Sequence, residues 1–182
     1  MTEQVKMMDE IEQGFEKLKE KIEDLNAREQ ELTGRLKENN VKLLKKMAAS
    51  SVSVVKIVGL NMLKKGKQDT KGEMYDPQYY PQKMIILGKA DPVGGRPDNP
   101  AMPVTDQFCV LSEDGEFFEL MYSFDGFLTD SYLNPLEADR ALELYGYDVM
   151  YMLYRAMRDY LTDEQKLVDA LEIVVGYVFA KK

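Results

Sequence analysis

Between Met8 and Leu43 the apolar residues recur at alternating spacings of three and four. With Met8 at heptad position a and Ile11 at d, the a series reads Met8, Phe15, Ile22, Glu29, Leu36, Leu43. The d series reads Ile11, Leu18, Leu25, Leu32, Asn39. Only Glu29 and Asn39 break the pattern, and a polar residue at one core position commonly fixes register and partner number. The spacing predicts a coiled-coil helix over residues 1–49, because a seam this narrow needs a partner helix to cover it. The competing expectation is an amphipathic helix folded back on its own globular domain. Asp24/Arg28, Glu31/Arg35 and Glu38/Lys42 are acid-to-base pairs four apart, each worth a few tenths of a kcal/mol (about 0.2–0.5). Gly14 and Gly34 each cost about 1 kcal/mol against alanine, so the helix relies on packing.

From Ser50 the pattern changes. Ser51 to Leu63, SVSVVKIVGLNML, is rich in β-branched residues and reads as a strand, with a break at Gly59. Residues 64–82 hold glycines, prolines and lysines and read as a flexible loop. Lys83–Lys89 reads as a second strand, and Ala90–Pro103 as an irregular connector. Gln107–Leu111 and Phe117–Tyr122 flank Asp114-Gly115, a strong hairpin signal. Asn134-Pro135-Leu136-Glu137 carries helix-start signals, and Gly146 is placed to bend or split the helix that follows, through Leu161. Leu144, Tyr147, Met150, Tyr151 and Tyr154 give that helix a second apolar side. Thr162-Asp163-Glu164-Gln165 reads as a capping box opening a last helix, with Leu167, Leu171, Val174, Val175 and Val178 as its buried face.

Strands grouped before helices imply an α+β class. The expected fold is a long N-terminal coiled-coil helix, then a small domain over residues 50–182. That domain has a mainly antiparallel sheet of about four strands and two C-terminal helices packed on one face. In element order this resembles the RWD-type domains at the ends of coiled coils in kinetochore proteins, a likeness of topology that carries no residue roles.

Composition narrows the chemistry. The 182 residues hold no histidine, which removes His-based triads and His-containing zinc sites. The single cysteine, Cys109, excludes an internal disulfide, and its place in a strand arm points to a buried, inert thiol. Gly94-Gly95-Arg96 lacks the strand-to-helix context of a phosphate loop. Asp125, Asp130 and Asp139 do not form an oxygen-ligand loop, and turn chemistry accounts for them. No catalytic residue, cofactor or metal is assigned, and the chain reads more as a binding protein than as an enzyme. No apolar stretch reaches the roughly 18–20 residues of a membrane span, and no secretory signal is expected in MTEQVKMMDEIEQ. A cytoplasmic protein without membrane contact is therefore expected.

The net charge of −8 is unevenly spread: −1 over residues 1–49, +4 over 50–90 and −11 over 91–182. An acidic body argues against nucleic acid as partner; only the lysines and tyrosines of 64–82 could supply such a site. On the coil, heptad position g holds Lys21, Arg28, Arg35 and Lys42, while e holds Glu12, Lys19, Asn26, Thr33 and Asn40. Neither a parallel nor an antiparallel homodimer gains attractive pairs from these edges, so the basic stripe favours an acidic surface beside it. That surface belongs either to a different protein's helix or to the acidic body of a neighbouring copy. The expectation is a non-catalytic interaction or assembly protein, docking a protein partner as a homo- or hetero-oligomer through Met8, Ile11, Phe15, Leu18, Ile22, Leu25, Leu32, Leu36 and Leu43. Lys21, Arg28, Arg35, Lys42, Tyr147, Met150, Tyr151 and Tyr154 are the candidate partner-binding residues. The alternative is a ligand- or nucleic-acid-binding regulator that uses 64–82, with the coil as its dimerisation element.

Overall fold

A computed structural model describes residues 2–92 and 94–179, without the side chains of residues 2–10. The order is helix α1 (Thr2–Val58), strands β1 (Leu60–Gln68), β2 (Met74–Ala90), β3 (Asp106–Ser112), β4 (Phe117–Phe124) and β5 (Leu128–Leu136), then helices α2 (Ala138–Tyr145) and α3 (Asp148–Phe179). By its contacts the chain divides into Met1–Lys42 and Leu43–Lys182. The class is α+β, as expected, but the sheet has five strands and closes into an antiparallel barrel in the order β1-β2-β3-β4-β5.

The helix does not stop near residue 49. Leu44, Ala48, Ser51 and Val55, spaced four, three and four, are all buried and form one continuous stripe. Ser51 donates its hydroxyl to the Ala48 carbonyl, 2.9 Å away. Tertiary burial thus overrides the strand preference of the β-branched run, and the expected strand over Ser51–Leu63 is helix as far as Val58. The last turns of α1 sit at the β3–β4 turn, where a Cβ on Gly115 would lie 3.1 Å from Val52. Gly115 has φ +82°, the left-handed conformation that the Asp114-Gly115 hairpin turn requires.

The expected loop over 64–82 is instead the β1–β2 hairpin, with a tight turn between Gln68 and Met74 in which the Asp69 carboxylate accepts from the Lys71 and Glu73 amides. Glycine and proline misled the reading because β2 bends. Its pairing with β1 shifts register between Asn61 and Lys67, and neither Pro77 nor Pro81 is among the paired residues. Met84 is the corner, paired to Leu60 on one side and to Ser112 on the other, with its side chain fully buried. Met84, Val110 and Leu120 centre the core cluster, packed against Met62, Tyr80, Phe108, Phe118, Tyr122 and Leu133. A barrel this small is filled by its own side chains.

β5 replaces the expected helix start. Pro135 pairs with Phe118 and Asn134 with Glu119, and α2 begins only at Ala138 with Glu137 as an N-cap that makes no side-chain bond. Closure on β1 rests on Lys65–Asp130, Gly66–Thr129 and Lys67–Leu128. Past those pairs, the Ser131 hydroxyl lies 3.0 and 2.9 Å from the Leu63 and Lys64 carbonyls, extending the seam.

Gly146, with φ +68°, caps α2 and separates it from α3, as its position in the sequence suggested. The capping box at Thr162 is not used. α3 runs unbroken through it, and Thr162 donates instead to the Arg158 carbonyl one turn back, 2.9 Å away. α2 and α3 pack against β2. A Cβ on Gly88 would come within 3.3 Å of the Tyr145 ring, so a bare backbone there lets α2 approach β2. Val149 and Leu153 are the buried side chains of α3.

Candidate interaction surface

Among the described residues, Glu119 and Arg96 are the charged side chains that lie buried, and each is held by hydrogen bonds that join elements of the fold. On the outer face of β3 and β4, the Glu119 carboxylate accepts from Gln107 Nε2 and from the Tyr145 hydroxyl at 3.2 Å. Asn134 Nδ2 approaches its other oxygen at 3.4 Å. This ties α2, β3 and β5 to β4 and keeps a buried carboxylate satisfied. Cys109, paired across the ladder with Glu119, is fully buried. Burial, then the Glu119 charge, pushes its thiol up to about 12, in keeping with the buried thiol expected there.

The second buried charge lies in the connector. Arg96 is buried; its Nε donates to Asp98 at 2.9 Å and its Nη1 to Asp130 of β5 at 2.8 Å. The guanidinium carbon lies 5.9 Å from the Tyr132 ring centre. Hydrogen bonds from Arg96 hold the Asp98 carboxyl below its ordinary range. Gly94-Gly95-Arg96 therefore anchors the connector, with Gly95 bridging to Pro103. Asp125 accepts from the Phe127 and Leu128 amides, the turn role expected of it, and Asp130 pairs with Arg96.

The surface that stands out is apolar and helical. Along α1, Ile11, Phe15, Leu18, Ile22, Leu25, Leu32, Leu36 and Leu43 are all exposed, Phe15 by 67% and Ile22 by 57%. The Met8 side chain lies outside the described residues. Lys21, Arg28, Arg35 and Lys42 are exposed as well, with Arg35 3.9 Å from Glu31. Leu43 and Leu44 mark where the two stripes part: Leu43 faces solvent while Leu44 is fully buried.

α3 carries a second such surface. Tyr147, just before the helix, and Tyr151 and Tyr154 within it are exposed, and Met150 is half-buried, so the expected second apolar side faces outward. Beyond Leu161 the expectation of a buried face fails outright. Leu167, Leu171, Val174, Val175 and Val178 are all exposed, Leu171 by 53%, and Tyr177 reaches 83%. The helical spacing is legible in the sequence, but among the described residues these side chains stay exposed. An open groove of about 630 Å³ lies between α1 (Lys45, Ala48, Val52) and Phe117, Pro135 and Leu136. Asp114, Glu116 and Glu137 line it as well as Lys45.

Among the described residues no group of three or more His, Cys, Asp or Glu is placed to hold a metal ion, and no helix is long and apolar enough to cross a membrane. The molecule is an α+β protein: a closed five-stranded antiparallel barrel preceded by a long helix and followed by two more. Comparison with protein-family models, with curated proteins and with solved structures finds no match for this chain.

Proposed function

We propose that this chain is a non-catalytic assembly protein that docks a partner through a coiled coil on α1 and presents the barrel domain as a binding body. The observation that carries the reading is the exposed seam from Ile11 to Leu43 on a single helix. Each large apolar side chain left in water forgoes about 1.5–3 kcal/mol of burial, so a heptad stripe of eight favours association. The same logic extends to the tyrosine face at Tyr147, Tyr151 and Tyr154, since tyrosine and methionine suit adaptable interfaces. Ile22→Asp is expected to lower the mass of the protein, or of its complex, in light scattering. An unchanged monomer of 20.9 kDa before and after, with no complex, refutes the reading. Reversal of Lys21, Arg28, Arg35 and Lys42 to Glu is expected to weaken an acidic partner's docking. A homodimer that tightens instead identifies the stripe as self-repulsion.

One observation supports a second reading, a nucleic-acid-binding regulator. Tyr75 and Tyr79 are exposed on the β1–β2 hairpin beside Lys65 and Lys67, an arrangement able to stack bases and neutralise phosphates. Against it, Lys67 lies 3.7 Å from Asp76, and Asp69 and Glu73 share the hairpin. On this reading, affinity for single-stranded RNA or DNA falls steeply as salt rises; no binding at low salt eliminates it.

A further inference from the structure

The second half of α3 presents a seam of its own. Met150, Leu153, Met157, Tyr160, Glu164, Leu167, Leu171, Val174 and Val178 alternate spacings of three and four, the pattern of α1. Leu153 is fully buried and fixes the start of this stripe to the body, whereas Leu167, Leu171, Val174 and Val178 are exposed. Leu161, Val168 and Val175 widen the exposed part to a broad apolar face.

We infer that the exposed half of α3 is a docking surface whose occupant is the α1 seam of a second copy of this chain. The inference rests on the assembly reading above and names its partner. Charge selects the occupant. The exposed part, residues 161–179, carries Asp163, Glu164, Asp169 and Glu172 against Lys166, a net −3, with Glu164 in the seam and Asp163 beside it. Two α3 tails side by side repel and bring Glu164 towards Glu164, while the α1 stripe of Lys21, Arg28, Arg35 and Lys42 is the basic edge that an acidic helix complements. Two α1 helices, conversely, offer each other no attractive edge pairs. Length agrees as well. At 1.5 Å per residue the exposed part of α3, Leu161–Phe179, is about 28 Å long, and the α1 seam from Ile11 to Leu43 is about 50 Å, room enough for the whole contact. Exchange of α1 and α3 between two copies is self-complementary, so each copy gives and receives.

The test measures mass by light scattering on the full chain and on two variants, Ile22→Asp and Leu171→Asp, each at an exposed site with folding checked by circular dichroism. The wild type is expected above 20.9 kDa and each variant alone at 20.9 kDa. An equimolar mixture is expected to recover a species of twice that mass, because one chain's intact α1 meets the other chain's intact α3. If Leu171→Asp keeps the wild-type mass while Ile22→Asp does not, α1 docks elsewhere: the inference falls and the assembly reading stands. A mixture that stays monomeric rules out the α1–α3 exchange. A monomeric wild type that binds no partner removes both.

Discussion

A chain cut to Leu43–Lys182 is expected to melt cooperatively, and one cut to begin at Gly59 is not. The second cut removes Leu44, Val54 and Val55, all buried, together with Ala48 and Ser51. At about 1.5–3 kcal/mol for each large apolar side chain, the three alone remove about 4.5–9 kcal/mol, an upper figure because unfolded chains are themselves partly compact. Whole domains hold only about 5–15 kcal/mol, so a loss of this size leaves no stable fold. Thermal unfolding followed by circular dichroism decides it. A cooperative melt of the Gly59 chain at the temperature of the Leu43 chain would mean that the last turns of α1 are an appendage and not part of the core.

Arg96→Ala is expected to destabilise the fold strongly. It removes the cation that two carboxylates from different parts of the chain share, and it releases the connector from β5. Breaking a buried ion pair costs about 3–5 kcal/mol. The lower end, about 3 kcal/mol, applies because Asp98 and Asp130 both reach water. The pH dependence has a definite sign. Arg96 lowers the Asp98 pKa in the folded protein, so the stability this contributes is present above the unfolded value of 3.8 and is lost as pH falls through the folded value. Urea unfolding should therefore separate wild type and variant widely at pH 7 and progressively less below pH 3.8. A constant gap across that range would assign the loss to packing against Tyr132 and not to the ion pairs.

How the chain pairs up shows why some elements were legible and others were not. The α1 seam, the Asp114-Gly115 hairpin, the Gly146 break and the buried Cys109 follow from local rules: periodicity, positive φ and strand context. They needed nothing from distant residues. The strand read into Ser51–Leu63 failed because what stabilises that run is the surface it meets, the β3–β4 turn beside Val52. Prolines at 77, 81 and 135 argued for loop and helix start. Each is tolerated in a strand here, two where β2 shifts register and one in the last strand beside its end.

Sequence by itself determined the α+β class, the amphipathic character of the helices, and the uneven charge, −1 over residues 1–49 against −11 over 91–182. Tertiary structure alone decided that the sheet closes, since closure is a pairing of Lys65 with Asp130 across 64 intervening residues. It also placed Arg96, Glu119 and Ser131, all buried, at the joints. Periodicity reports that a face is apolar; only the folded chain decides whether that face is covered. Leu153 and Leu171 lie on one seam of one helix, the first sealed by the body and the second left to water, because contact with the body ends between them.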